Sequence, residues 1–332
     1  MAARPQTLLL TRSDVARLLT LDDAIAAVEQ AFRLHGERKA PTPAVLGVHA
    51  EGGGFHIKAG LLHLERSYFA AKLNANFFAN AEKLGIPNIQ GVVLLSDGAN
   101  GSPLAVMDSI EITIQRTGAA TAVAARHLAR PDSKTATICG CGNQGRVQLR
   151  ALTRVLPIRK VFACDAGRER AEKFAAELSS ELGITVTPAD DLGEAVGQSD
   201  VCVTCTPAKK WFLGREHVKP GTFVAAVGAD NEDKQELDPR LLVGNTVVVD
   251  VLEQCATIGD LHHALAAGLL TRDAVHAELG EVVAGTRPGR TSADEITIFD
   301  STGMALQDVA AAVIVYQRAL AEGASKTIAF AE

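Results

Sequence analysis

Residues 135–145 read Thr135-Ala136-Thr137-Ile138-Cys139-Gly140-Cys141-Gly142-Asn143-Gln144-Gly145, an apolar strand running straight into G-x-G-x-x-G, with a helical pattern following through Leu156. In that setting Gly140 permits a tight turn, Gly142 lets backbone amides approach a pyrophosphate, and Gly145 lets the helix lie close to the strand. Asn143 and Gln144 open the helix, where unpaired N–H groups and the positive end of the helix dipole favour phosphate. The next strand ends Val161-Phe162-Ala163-Cys164-Asp165, so a carboxylate falls 20 residues after Gly145. A carboxylate there can accept hydrogen bonds from the adenosine ribose of a dinucleotide, which points to NAD. Arg168 and Arg170 lie close enough in sequence to leave NADP open.

Working outward from this loop, apolar strands at 135–139, 160–164, 200–204, 222–227 and 246–250 alternate with amphipathic helices, the clearest at 168–182. Such alternation is the pattern of a parallel, doubly wound sheet. A further strand at 295–300 leads into a final helix at 304–322. The first third of the chain reads differently. Leu21, Ile25, Val28 and Phe32 recur at helical spacing behind Asp22 and Asp23, which suit a helix N-terminus. After Pro41 and Pro43 come short strand-like runs at 46–50, 55–58, 68–77 and 91–96, separated by Gly or Asn turns, which predict a mixed, largely antiparallel sheet. An Ala-rich helix at 109–129, stopped by Pro131, joins the two patterns.

Composition narrows the class. With 332 residues, 47% hydrophobic and 22% charged, the chain has the balance of a globular protein. A net charge of −6 without a run of Lys or Arg offers no electrostatic footprint for nucleic acid or an anionic membrane. No segment approaches roughly 18 uninterrupted apolar residues, and residues 1–10, with Arg4, are too short for a signal-peptide core, so a cytoplasmic protein is expected. The six cysteines fall mostly in apolar runs and read as buried thiols of a reducing compartment. Cys202 and Cys205 form a C-x-x-C, but on a strand they point to opposite faces, and no second pair completes a zinc site. His262 and His263, adjacent on a helix, point about 100° apart, so no metal is expected there either.

Five ordered motifs carry a resemblance over nearly the whole length. They are Ala71-Lys72-Leu73-Asn74 with Asn80; Arg116-Thr117-Gly118-Ala119-Ala120-Thr121; the Gly140 loop; Gly228-Ala229-Asp230 with Glu236-Leu237-Asp238; and Phe299-Asp300-Ser301-Thr302-Gly303 with Ala305, Leu306 and Asp308. The chain resembles the ornithine cyclodeaminase and mu-crystallin family. The resemblance implies an α/β protein: a doubly wound Rossmann domain at 119–304, inserted into a mixed α+β substrate and dimerisation domain formed by 1–118 and 305–332. It further implies a homodimer whose N-terminal sheets associate, and hydride exchange between a nicotinamide and the α-carbon of a small amino or imino acid. Thr117 and Ser301 join the Gly140 loop, Asp165 and Arg168 as cofactor residues on the same grounds.

Lys72 stands in an apolar strand, where an unpaired ammonium is expensive to bury, so it needs an anionic partner. The resemblance implies the substrate carboxylate and a place in catalysis; a strand-edge surface lysine is the plainer alternative. Arg116 matches a family arginine that forks onto the same carboxylate, against the alternative of an interdomain salt bridge. Asp230 follows an apolar strand through Gly228 and Ala229, at the end where ligands of such sheets bind, and is the general acid/base candidate; a turn-capping role is the alternative. Gln90 is a pocket candidate by family position alone.

Two departures from the family pattern stand out. An arginine common after the proline that here is Pro41 is absent, and Asn231-Glu232-Asp233 replaces a Pro-Gly turn after Asp230. His56 and Lys58 share one strand face and offer a replacement cation. If both reach the pocket, its cationic character suits a dicarboxylic imine such as iminosuccinate; equally, Lys58 is solvated and His56 packed. Three functions remain: an imino acid reductase or amino acid dehydrogenase, a cyclodeaminase that forms proline with catalytic NAD, and a non-catalytic crystallin-like nucleotide binder. The departures favour the first, and the retained Lys72, Arg116 and Asp230 argue against the third.

Overall fold

The structure, a computed structural model, describes residues 6–77, 79–324 and 326–330; Arg4 of the N-terminal reading lies outside them. The strands in chain order are β1 (Thr7–Leu10), β2 (Ala44–Ala50), β3 (Gly53–His63), β4 (Ser67–Asn76), β5 (Ile89–Asp97), β6 (Pro103–Asp108), β7 (Thr135–Cys139), β8 (Lys160–Cys164) and β9 (Thr185–Pro188). They continue as β10 (Val201–Thr204), β11 (Lys209–Leu213), β12 (Phe223–Ala226), β13 (Gln235–Leu237), β14 (Thr246–Val249), β15 (Ala277–Glu278), β16 (Thr297–Asp300) and β17 (Thr327–Ile328). The α-helices are α1 (Arg12–Leu18), α2 (Leu21–Gly36), α3 (Asn80–Leu84), α4 (Ser109–Leu128), α5 (Asn143–Val155), α6 (Arg168–Leu182), α7 (Leu192–Gly197), α8 (Pro239–Leu242), α9 (Leu252–Ile258), α10 (Asp260–Ala266), α11 (Leu279–Val283) and α12 (Ala305–Ala321). Two compact units result, Met1–Arg116 with Met304–Glu332, and Thr117–Gly303, the first boundary falling inside α4.

The first unit is built on a seven-stranded sheet ordered β17-β1-β6-β5-β4-β3-β2, in which β1 and β6 run parallel and the other pairs antiparallel. Residues 55–58 are the middle of a longer strand, because pairing with β4 continues through Leu61 and Leu62 to His63. Pro103 opens β6, a strand absent from the sequence reading; proline is tolerated at a strand's first residue. One face buries Leu62, Ala70, Val93, Leu95, Ala105 and Met107. On it lies α12, against β3, β4, β5 and α2. Gly60 is what lets α12 come so close, since a Cβ there would sit 2.8 Å from Leu306 Cδ2. Capping boxes start both flanking helices, Thr11 with Asp14 in α1 and Thr20 with Asp23 in α2.

The sheet's other face is apolar but uncovered. Leu46, Ile57, Leu73 and Val92 stand in direct register across four strands. Leu46 is 56% exposed, Val92 43% and Leu73 39%, with Val48 and Phe55 exposed beside them.

The second unit is an eight-stranded, wholly parallel sheet ordered β15-β14-β16-β12-β10-β7-β8-β9. Its central strands are buried at every residue, which is why they read as unbroken apolar runs rather than alternating ones. The chain runs outward from β7 to β9 and then returns to β7's other side with β10. That reversal opens the crevice at the carboxyl ends of β7 and β10, where ligands of such sheets bind. Val201–Thr204 ends one residue before Cys205, so the expectation that both cysteines lie on the strand is corrected: Cys205 turns its thiol to the carbonyls of Cys139 and Gly140, each 3.3 Å away. All six cysteines are free thiols. No described helix is long and apolar enough to cross a membrane.

Candidate active site

In the first unit the chemistry gathers on the helix-covered face of β3 and β4. Strand alternation puts Lys58, Lys72, Asn74 and His56 on that face, with Lys58 directly opposite Lys72 and His56 directly opposite Asn74. Two like charges opposed on a sheet destabilise it, and both ammonium groups are buried. The compensating charge comes from α12. Asp308 Oδ1 accepts Lys72 Nζ at 2.8 Å and lies 3.2 Å from Arg116 Nε. Arg116 Nη1 donates to Gln307 Oε1 at 3.2 Å, and Ser109 donates to Asn74 Oδ1 at 2.6 Å.

The cluster is under-compensated. Lys72, Arg116, Gln307 and Asp308 are all buried, and among the described residues the Asp308 carboxylate faces Lys72, Arg116 and Lys58 together. Burial pushes Lys72 down to about 7, with Asp308 opposing and Arg116 and Lys58 adding to the fall. Asp308 moves the other way in charge: burial alone would raise it, but Lys72, Arg116 and Lys58 hold it below the usual carboxylate range. Arg116 Nε, although near Asp308, is not aimed at it and has no hydrogen-bond partner among the described residues; neither have Gln307 Nε2 and Asp308 Oδ2. Buried donors left over in this way ask for an anion with acceptor oxygens.

Gln90 is not brought to this cluster. It pairs with Ala75, one residue out of phase with Lys72 and Asn74, so it lies on the opposite, exposed face of the sheet. Asp308 enters the sequence reading only as a motif residue, although one signal marks it: it is the lone acid in a helix buried along most of its length.

In the second unit the Gly140 loop takes the form its glycines allow. Gly140 has φ +103°, a conformation side chains resist, and a Cβ at Gly145 would run into the Gly140 carbonyl. A Cβ at Gly142 would meet nothing within 4 Å. Helix α5 begins at Asn143 with neither a side-chain cap nor an acid in its first turn. Open space over Gly142 before an uncapped helix fits a pyrophosphate. Asp165 closes the loop from β8: its Oδ2 accepts Cys141 N at 2.9 Å, and its Oδ1 accepts Gly167 N at 2.8 Å and Arg170 Nη2 at 2.6 Å. Against burial, those bonds and the Arg170 charge hold Asp165 below the usual range. Since a carboxylate oxygen accepts about two hydrogen bonds, Oδ2 retains room for a ribose hydroxyl. Arg168 binds Glu172 at 2.8 Å and also Asp190. Thr117 is buried in α4, and Ser301 donates to Asp250 Oδ2 at 3.0 Å.

Asp230 sits beyond the end of β12, its side chain 42% exposed. Two neighbours shape its surroundings: Lys234, absent from the sequence reading, and Glu236, present there only as a motif residue. Lys234 Nζ donates to Asp230 Oδ1 at 2.6 Å and to Gly228 O at 3.2 Å. Glu236, wholly buried, accepts Thr204 Oγ1, Thr206 N, Thr206 Oγ1 and Gly228 N, tying the loops after β10 and β12 together. Behind it, Asp260 takes the amides of Glu236 and Leu237, and Asp300 takes those of Asp260 and Leu261. Burial raises all three carboxyls, Glu236 to about 7 and Asp260 to about 6. His262 and His263 are spent on backbone carbonyls, those of Ala256 and Lys234.

The family model of the ornithine cyclodeaminase/mu-crystallin family matches residues 5–323. The chain belongs to that family. Among solved members, an archaeal alanine dehydrogenase dimer with bound NAD is 41% identical, covering 98% of this chain and 99% of that one at a TM-score of 0.93. The Delta(1)-pyrroline-2-carboxylate reductase of Thermococcus litoralis, in complex with NADH and L-proline, is 35% identical over 96% and 98% of the two chains at 0.89. The iminosuccinate reductase of Paracoccus denitrificans, in complex with NAD+, is 33% identical over 97% and 99% at 0.88. The ornithine cyclodeaminase/mu-crystallin fold thus holds over both units.

Proposed function

We propose that this chain is an NAD-dependent oxidoreductase that interconverts a small imino acid and the corresponding amino acid. The observation that carries the reading is the buried Lys72–Asp308–Arg116 cluster with its leftover donors, an anion seat built into the core of the first unit. Lys72 and Arg116 take the substrate's α-carboxylate, whose charge completes the balance that Asp308 alone leaves short. Asp230 works at the substrate nitrogen, giving a proton as the imine is reduced and taking one as the amine is oxidised. When bound, the nicotinamide dinucleotide supplies the hydride to the α-carbon or removes it. Gly140, Gly142, Asn143, Gln144 and Gly145 hold its pyrophosphate, and Asp165 its ribose. Arg170 and Arg168, both engaged by carboxylates, favour NAD over NADP. The names of the solved relatives, a dehydrogenase and two reductases with NAD, NADH or NAD+ bound, support the same chemistry.

A dicarboxylic imine such as iminosuccinate is a second reading of the substrate. It is favoured by Lys58, buried directly opposite Lys72, with His56 two residues away on the same face. The protein works as a homodimer, joined through the apolar row Leu46–Ile57–Leu73–Val92, and in the cytoplasm, where its unpaired cysteines stay reduced.

The test is to incubate the protein with NADH or NADPH, ammonia and a panel of pyruvate, oxaloacetate, other 2-oxo acids and cyclic imines, following nicotinamide absorbance. Oxidation by one class names the substrate, and its loss in Asp230→Asn with NADH binding intact places Asp230 in the reaction. Release of ammonia and proline from ornithine with no net reduction of NAD would instead mark a cyclodeaminase.

A further inference from the structure

We infer that Glu236 is a positioning residue: its buried carboxylate clamps the loops after β10 and β12 into one rim of the dinucleotide crevice, and its negative charge is what tightens the clamp. The inference rests on the reading that the dinucleotide lies against the Gly140 loop, whichever imino acid is reduced. The loop after β10 is sewn to that phosphate loop. Cys205 N donates to Cys139 O at 2.9 Å, its thiol meets the carbonyls of Cys139 and Gly140, and a Cβ at Gly140 would come within 2.8 Å of Cys205 O. The next residue, Thr206, gives Glu236 Oε1 both its amide, at 2.6 Å, and its hydroxyl, at 2.7 Å. Oε2 takes Thr204 Oγ1 at 2.7 Å and, two residues before Asp230, Gly228 N at 2.9 Å. Gly228 lets the two loops close, since a Cβ there would lie 2.5 Å from Thr206 O.

The geometry calls for a carboxylate. Four donors meet four lone-pair sites, so both oxygens are saturated. Each oxygen receives one backbone N–H, which cannot turn round to accept, so a glutamine would set its NH2 group against one of those amides whichever way it faced. A protonated Glu236 fares better, because a threonine hydroxyl can turn to accept the proton, but bonds that are no longer charge-assisted hold about half as strongly. The groups that face Glu236 set where that proton comes on. From α10, Asp260 brings a like charge on the carboxylate that takes the Glu236 and Leu237 amides, with Asp300 of β16 behind it, and His263 meets the Lys234 carbonyl. From the loop after β10, Cys205 stays a neutral thiol, pushed up by burial and by Glu236 itself. On the loop after β12, Asp230 is engaged by Lys234; β11 brings Lys209, bound to Asp233, and Lys210, both exposed; and Asp238 is engaged by Arg240. Burial and Asp260 raise Glu236 to about 7. The clamp is therefore tight above neutrality and slack below it.

The experiment measures the Kd of NAD+ by calorimetry from mildly acid to mildly alkaline pH, on the full-length parent and on Glu236→Gln, Asp260→Asn and Thr204→Val. The parent should lose affinity by about tenfold as pH falls through the Glu236 titration. Glu236→Gln should bind about tenfold or more weakly at every pH, without the inflection; loss of a buried negative charge by itself would instead tighten the binding of an anionic dinucleotide. Asp260→Asn keeps the Oδ1 acceptor for both amides and removes only the charge, so the inflection should move to lower pH by on the order of one unit. Thr204→Val takes one donor from Oε2 and should move it higher. A glutamate that merely held the fold together would weaken binding in the Gln variant without giving these opposed shifts. Should the Gln variant fail to fold, the parent profile and the two shifts decide. A parent Kd flat across the range, an inflection abolished rather than moved in Asp260→Asn, or a Gln variant that binds NAD+ as the parent does overturns the inference. A parent that binds no NAD+ at any pH overturns the dinucleotide reading and the clamp with it.

Discussion

Replacing Asp308 by Asn removes the buried carboxylate between Lys72 and Arg116 while keeping the side chain's size. Two cations are then left buried, one of them directly opposite Lys58. Breaking a buried ion pair from one side costs about 3–5 kcal/mol. Lys72 has an escape, because burial and its cationic neighbours already bring it down to about 7. Without Asp308, the largest force opposing that fall, it titrates lower still and is neutral already at neutral pH. A neutral Lys72 no longer gives the substrate carboxylate a charge-assisted hydrogen bond, a loss of about 1.5–3 kcal/mol, or roughly 10- to 100-fold in kcat/KM. Steady-state kinetics at several pH values, alongside NADH titration and thermal melting, reads each part. The expected outcome is a lower melting temperature, unchanged NADH affinity, and a loss of kcat/KM that is partly recovered in acid as Lys72 regains its proton. An Asp308→Asn protein with parental melting temperature and parental kcat/KM at every pH would refute the reasoning.

Wild-type kcat/KM should fall as pH rises through about 7, where Lys72 loses the charge that seats the carboxylate; Lys72→Arg, which does not titrate there, should lose that inflection, and a parental profile flat across neutrality would count against it. The stability linkage has a definite sign. Lys72 titrates near 7 when folded against 10.5 for a free lysine, so its contribution to stability rises with pH between those values, and Lys72→Met should remove that slope from denaturation measured across the window. Gly145→Ala drives a Cβ into the Gly140 carbonyl, an overpacking that costs roughly 1–3 kcal/mol; NADH affinity should drop about tenfold or more by fluorescence titration, and an unchanged Kd would remove the loop from cofactor binding. Asp165→Ala deletes the ribose acceptor and frees Arg170, so the NADH-to-NADPH preference should move toward NADPH by on the order of tenfold.

The second unit is legible in the sequence because each of its signals is local. A strand buried on both faces is apolar at nearly every position, and the glycines at 140 and 145 are demanded by local backbone geometry, while Gly142 leaves the space above the loop open. The helix at 168–182 has the boundaries its periodicity suggests. The first unit is less so. The strand β6 begins with a proline, which masks it, and β3 reads too short because Ala59 and Gly60, in its middle, carry no strand signal of their own. Within the site, Lys72 announces by its apolar neighbours that it needs an anion. The anion lies 236 residues away on α12, a pairing that no spacing rule can connect. Gln90 fails for a related reason: position in a motif does not say which face of a strand a side chain takes, and a phase difference of one residue reverses it. Lys234 is hidden by its ordinariness, a lysine in a polar turn, and Glu236 enters the reading only as a motif residue, because what each one holds is not visible in the sequence.

The central claim, that hydride moves between nicotinamide and an α-carbon, is tested most directly with NADH deuterated at both C4 positions. Turnover with ammonia and the accepted 2-oxo acid, or with the accepted cyclic imine, should give an amino acid carrying one deuterium on Cα by mass spectrometry, and none in Asp230→Asn. Product formed by the parent without deuterium at that carbon would contradict the account.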